Sequence, residues 1–255
     1  VNSNNWTMCF HNSKNVEVSR CMFFSYRTYS DGVMFSDCKD SRARDCFVRT
    51  GDDAMEVKAF TDSTDPDCYT DGVLFENNCV WTDKGIGYGC IYESKHDIKN
   101  VIFRNNSIGF AQASWSEHLG CCTVQMGSVK TSTWEDIHFE NMEVYKTSCA
   151  LLSVFNRANN EREGGKIKDI YFENITAKYA VQTNLPVYCL SVVIRLKEGA
   201  TWQNSTIGAL YLDNIRYAGA EIAADNYEEY TNIALDNGAR FARSSIKVNK
   251  LSGEE

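Results

Sequence analysis

Three aspartates, Asp31, Asp52 and Asp53, stand at the start of two short apolar runs, in Tyr29-Ser-Asp-Gly-Val33 and Arg49-Thr-Gly-Asp-Asp-Ala-Met-Glu-Val-Lys58. Counted back from the runs, Asp31 lies two residues before Val33 and Asp53 two before Met55. If the runs are neighbouring parallel strands, these two aspartates share a column, with roughly 4.8 Å between backbones. Asp52 lies beside them. Carboxylates so close cannot all titrate normally, because repulsion raises at least one pKa and leaves a protonated acid beside ionised bases. That is the equipment of general acid–base chemistry. A strict strand period would turn Asp52 and Asp53 to opposite faces, so both reach one cleft only if the chain bends at Gly51. The same column is expected to continue to Tyr88 in Gly87-Tyr-Gly89.

The scaffold that would carry these residues is a repeat. Units of the form apolar-x-apolar-x-Asn begin at Val16, Ser41, Val73, Val101, Ile137, Ile170 and Leu210, spaced 25 to 40 residues apart. Their third position reads Val18, Ala43, Phe75, Phe103, Phe139, Phe172 and Leu212, a core-facing column, and the alternation around it is a strand period. Their fifth position reads Arg20, Asp45, Asn77, Asn105, Asn141, Asn174 and Asn214. Asn tolerates a left-handed turn, so this column marks a repeated corner. Each unit follows another short apolar run, from Met8-Cys-Phe10 to Leu190-Ser-Val-Val-Ile194. Short strands in irregular coils predict an all-β right-handed parallel β-helix, a solenoid of about seven coils over residues 1–217. A β-propeller would need longer blades of four strands. Residues 218–255 break the repeat and are expected to form an irregular C-terminal cap, with a short helix over Glu221–Tyr230.

Several other features read as structural. Asp71, in Thr70-Asp-Gly72, falls in the wrong phase and is expected to be a turn aspartate. The acidic stretch Asp62-Ser-Thr-Asp-Pro-Asp67 lacks the ligand alternation and glycine of a calcium loop and reads as a solvated turn. The eleven cysteines include no C-x-x-C pair, and Cys21 and Cys46 share a repeat position, as stacked core residues would. No metal or cofactor is expected.

Ser30-Asp-Gly32, followed one coil later by Thr50-Gly-Asp-Asp53 and Glu-Val-Lys58, resembles the active-site pattern of pectinase-like β-helix glycoside hydrolases. Two groups share it, the dextranase/isopullulanase group (glycoside hydrolase family 49) and, more distantly, the polygalacturonases. The resemblance implies an inverting hydrolase in which Asp52 protonates the glycosidic oxygen while Asp31 and Asp53 activate water, with no cofactor. Polygalacturonases carry Gly-His-Gly where this chain has Gly87-Tyr88-Gly89, and an Arg-Ile-Lys clamp for the uronate. The corresponding coil here reads Cys122-Thr-Val-Gln-Met126.

Without that clamp, and at a formal charge of −8, a neutral α-glucan such as dextran is the expected substrate. Subsite candidates are Tyr26, Arg27, Arg49, Glu56, Lys58, Tyr88, Glu93 and Trp115, because sugars need aromatic faces and charged hydrogen-bonding groups. The alternatives are a non-catalytic carbohydrate-binding β-helix, or a hydrolase or lyase active on polyuronates. The acidic balance argues against nucleic acid or an anionic membrane as partner, and no apolar run reaches the roughly 18 residues of a membrane span. The polar start without Met reads as a fragment or processed chain. The resemblance implies a secreted protein. Oligomeric state is not legible.

Overall fold

The computed structural model describes residues 2–3, 5–112, 118–159, 163–181, 187–196, 198 and 202–249. Among them, two parallel sheets wind round one core as a right-handed parallel β-helix. The smaller sheet stacks eight strands in chain order, among them Met8–His11, Val33–Ser36, Met55–Ala59, Tyr88–Ser94, Gly120–Ser128, Ala150–Arg157, Leu190–Arg195 and Thr231–Asp236. The larger, fifteen-stranded sheet supplies the other two sides of each coil. No described helix is long and apolar enough to cross a membrane.

The repeat column is a physical column. Val18 pairs with Ala43, Ala43 with Phe75, Phe75 with Phe103, Phe103 with Phe139, Phe139 with Phe172, and Phe172 with Leu212. The four phenylalanines stack ring on ring at 5.0, 4.7 and 5.3 Å, so each buries its faces against the coils above and below. At the corner, Asn77, Asn105, Asn141, Asn174 and Asn214 all adopt left-handed φ between 48° and 56°. Their amides also form a ladder, Asn141 Nδ2 donating to Asn105 at 3.0 Å, Asn174 to Asn141 at 3.1 Å and Asn214 to Asn174 at 2.8 Å. The column therefore does two jobs, turning the chain and tying consecutive coils together.

The cysteines are free thiols, and Cys46 is buried. Asp71 lies in the larger sheet, accepting from Asn100 Nδ2 at 2.6 Å and pairing with Lys99 at 3.4 Å. In the acidic stretch, Asp65 caps the Asp67 N–H at 2.9 Å and exposed Asp62 meets Lys95, a solvated turn. Past residue 217 the sequence repeat ends but the stacking does not. Thr231–Asp236 extends the smaller sheet, and Ile246–Val248 pairs with the strand Leu210–Tyr217. The helix expected over Glu221–Tyr230 gives way to an antiparallel strand, Ala220–Ile222, and a short 3-10 turn, Tyr227–Tyr230. Here pairing to an open sheet edge outweighs local helix preference.

Phe139, wholly buried between two rings, is the test of this core. Phe139→Ala is expected to cost about 3–5 kcal/mol in denaturant unfolding. A loss below about 1 kcal/mol would mean that the stacked column does not hold the coils together.

Candidate active site

Val33 pairs with Met55, so the counting from the apolar runs is right: Asp31 lies one coil from Asp53. The Gly32 N–H donates to the Asp53 carbonyl at 2.9 Å, and the Asp53 carboxylate accepts the Ile86 N–H at 2.8 Å. The chain bends at Gly51 and Asp52. Thr50 and Thr82 each donate a hydroxyl to the Asp52 carbonyl at 2.6 Å, pinning the bend from two coils. Gly51 is needed for closeness, since a Cβ there would fall 2.4 Å from the Arg27 carbonyl oxygen. Gly85 has the same role above, where a Cβ would sit 2.3 Å from the Asp53 nitrogen. The result is that Asp31, Asp52 and Asp53 all line one cleft of about 520 Å³.

Tyr88 does not continue that column. It pairs with Met55, two residues further along, and the residue in register with Asp53 is Ile86. That phase points Tyr88 inward, where it is fully buried with its hydroxyl donating to the Asn78 carbonyl at 3.1 Å. Tyr88 is a core residue and no part of a subsite.

The floor beneath the aspartates is a buried charge cluster. Lys58 Nζ lies 2.8 Å from Glu93, 3.4 Å from Glu56 and 3.8 Å from Asp31. Its ring neighbour is Trp6, 5.1 Å away across the ammonium. Asp31, Asp53 and Glu56 each bring one carboxylate oxygen within 4.8 Å of the others, and the Lys58 ammonium lies within ion-pair range of two of them, Asp31 and Glu56. Burial works against the charge on Lys58, but Glu56, Glu93, Asp31 and Asp53 together hold its pKa above the ordinary lysine value. Burial pushes Asp31 up to about 6; Lys58 and a hydrogen bond from Glu56 restrain the rise, and Asp52 and Glu93 add to it. Asp53 is raised well above the ordinary carboxylate range by burial and by repulsion from Asp31 and Asp52. Glu56 is raised well above its range too, chiefly by burial. Burial and mutual repulsion thus favour the protonated form at Asp31, Asp53 and Glu56 more than in ordinary carboxyls, a coupled cluster of the kind that acid–base catalysis uses.

Two irregularities aim the walls. Between Cys90 and Ser94 the register with Met55–Ala59 slips, three residues facing the single Lys58, and Tyr92 takes a left-handed φ of 37°. This bulge delivers Glu93 to the Lys58 ammonium. Farther along the stack, Arg157 pairs with Arg195, and both side chains line the cleft with Gln125 and Phe155. Arg157 donates to the Tyr92 hydroxyl at 3.2 Å and meets no carboxylate within ion-pair range among the described residues; Arg195 pairs with Asp236 at 3.1 Å.

Of the subsite candidates, Lys58 and Glu93 line the cleft, while Glu56 is wholly buried beneath it. Tyr26 and Arg49 stack on each other outside it, Arg49 also lying over Trp81 and pairing with Asp83. Arg27 is exposed beside them, and Trp115 lies outside the described residues. Sequence reasoning missed Trp6, Tyr29, Tyr92, Arg157 and Arg195 as lining residues. The two arginines were within reach, because aligning Leu152-Ser-Val154 with Leu190-Ser-Val192 superposes them.

The family model described as "Glycosyl hydrolases family 28" matches residues 1–214. No curated protein matches the chain.

Because the Lys58 charge holds the Asp31 pKa down, Lys58→Met is expected to move it above about 6, so that Asp31 takes up its proton at higher pH. Carbon-13 titration of the aspartate carboxyls reads this directly; an unchanged or lower value contradicts the arrangement.

Proposed function

The chain belongs to glycosyl hydrolases family 28 and is an O-glycosyl hydrolase, and from that premise we propose that it hydrolyses a polyuronate of the polygalacturonan kind with inversion at the anomeric carbon. The family match gives no support to the dextranase-like side of the resemblance or to the neutral α-glucan expected from it. The observation that carries the reading is the cleft itself, with three aspartates on one side and Arg157 and Arg195 farther along the same stack. The α-glucan expectation rested on the absence of an Arg-Ile-Lys tripeptide within one coil and on the formal charge of −8. A clamp for a carboxylate does not need that form. Two arginines in register on successive coils stand about 4.8 Å apart and can offer guanidinium groups to the same acidic chain.

In this reading Asp52, at the pinned bend, protonates the glycosidic oxygen of the leaving sugar. The Asp31–Asp53 pair takes a proton from the water that attacks the opposite face of the ring. Lys58 and Glu56 set the charge on that pair; they are positioning residues and bind no sugar. Tyr29, Tyr92 and Trp6 offer ring faces for stacking.

A panel of polygalacturonate, dextran, pullulan and nigeran, with the first-formed anomer followed by NMR, tests the proposal. New reducing ends of inverted configuration are expected from polygalacturonate alone. An initially retained anomer overturns the direct attack by water, and turnover of dextran but not polygalacturonate overturns the substrate class. Asp52→Asn is expected to lower kcat about 10²–10⁴-fold with the fold intact. Arg157→Ala removes a charge-assisted hydrogen bond of about 1.5–3 kcal/mol, so kcat/KM on polygalacturonate is expected to fall at least about tenfold. An unchanged value removes Arg157 from the clamp.

A further inference from the structure

Away from the acidic cleft, three side chains of metal-binding type converge from separate stretches of the chain. Asp37 follows the strand Val33–Ser36, Cys68 closes the loop of residues 60–69, and His96 follows the strand Tyr88–Ser94. Each offers one donor atom within 4.8 Å of the other two. Asp37 and Cys68 are buried, and the His96 side chain is 13% exposed. The Asp37 carboxylate is aimed: its Oδ2 accepts the Thr61 N–H at 2.7 Å and the Ser36 hydroxyl at 3.2 Å, so Oδ1 is left facing His96 Nδ1 at 2.8 Å.

We infer that Asp37, Cys68 and His96 form a binding site for a single Zn²⁺ ion, separate from the catalytic cleft. Mixed oxygen, sulfur and nitrogen donors are the set that zinc accepts, and the harder Mg²⁺ and Ca²⁺ reject sulfur. The charges balance. One carboxylate and one thiolate neutralise a divalent ion, which a buried site needs. On binding, the Cys68 thiol gives up its proton to solvent, His96 coordinates as the neutral imidazole, and a water takes the fourth tetrahedral position on the partly open His96 side. With metal–ligand distances of about 2.0–2.1 Å, the Nδ1 to Oδ1 separation must open from 2.8 Å to about 3.3 Å. Thr61 and Ser36, donating to the other oxygen, supply the outer hydrogen bonds that orient a ligating carboxylate.

The ion would fasten the loop of residues 60–69 to two coils in a chain whose cysteines are all free thiols. The loop starts at Phe60, which meets the edge of Trp6 at a centroid distance of 5.9 Å, and Trp6 lines the acidic cleft. Fastening the loop would therefore steady one wall of that cleft.

The test uses the chelator-treated full chain, titrated with Co²⁺ and then Zn²⁺. One equivalent of Co²⁺ is expected to give a thiolate-to-cobalt charge-transfer band in the near ultraviolet, displaced by Zn²⁺. The carboxylate cluster of Asp31, Asp53 and Glu56 contains no sulfur and cannot produce that band. Cys68→Ser is expected to lose it and to weaken Zn²⁺ by more than the roughly 10–100-fold that loss of an outer partner costs. His96→Gln, as a second variant, keeps the thiol but is expected to weaken the ion comparably. Zn²⁺ is expected to raise the Tm of the wild type and leave that of Cys68→Ser unchanged. No band in the wild type, or an equal band in Cys68→Ser, overturns the site.

Discussion

A parallel stack permits no private positions. Once one coil is hydrogen-bonded to the next, each side chain lies about 4.8 Å from its counterpart above and below. Where the counterparts are phenylalanines, the constraint stabilises, and the column from Phe75 to Phe172 is the result. Where they are aspartates, the same constraint forces charges together, as with Asp31 and Asp53. Core and site are thus one geometric rule applied to different residues.

The acidic site needs compensation on that account. Asp31, Asp53, Glu56 and Glu93 act on a single ammonium, that of Lys58, and Asp52 adds its charge beside Asp31. One ammonium cannot balance five carboxylates in a partly desolvated space, so protons make up the difference. Burial raises the pKa of Glu56, Asp53 and Asp31 alike, and repulsion from neighbouring carboxylates adds to the rise. The depth of each group decides its role. Glu56 is too enclosed to meet a substrate, while Asp52 and Asp31 remain at the wall.

What the sequence disclosed follows from repetition. Seven copies of a motif disclose the Val18-to-Leu212 column and the left-handed corner, because an irregular copy is outweighed by the others. The Asp31–Asp53 register was legible for the same reason. Features that occur once were not. Tyr88 was placed two residues out of phase, since nothing in Gly87-Tyr-Gly89 says which residue faces Met55. The bulge at Ile91–Glu93 has no composition of its own, and its effect on Glu93 appears only in three dimensions. Arg157 and Arg195 meet across two successive strands, so no pattern within one strand discloses the pair. The strand in the tail, Thr231–Asp236, was hidden because its demand comes from an unsatisfied sheet edge and not from its own residues.

The slip at Cys90–Ser94 also marks a division in the smaller sheet. Pairing resumes at Ser94 with Ala59, and the next coil runs in continuous register from Tyr88–Cys122 to Ser94–Ser128. The coil above therefore carries the lengthened strand with it, and the slip is a step in the stack and not a loop confined to one turn. Strands before the step, Val33–Ser36 and Met55–Ala59, are short, and those after it, from Tyr88–Ser94 to Ala150–Arg157, are longer. The aspartates belong to the short coils, while Glu93, Gln125 and Arg157 stand on the long ones, so one step in register gives the cleft two differently built walls.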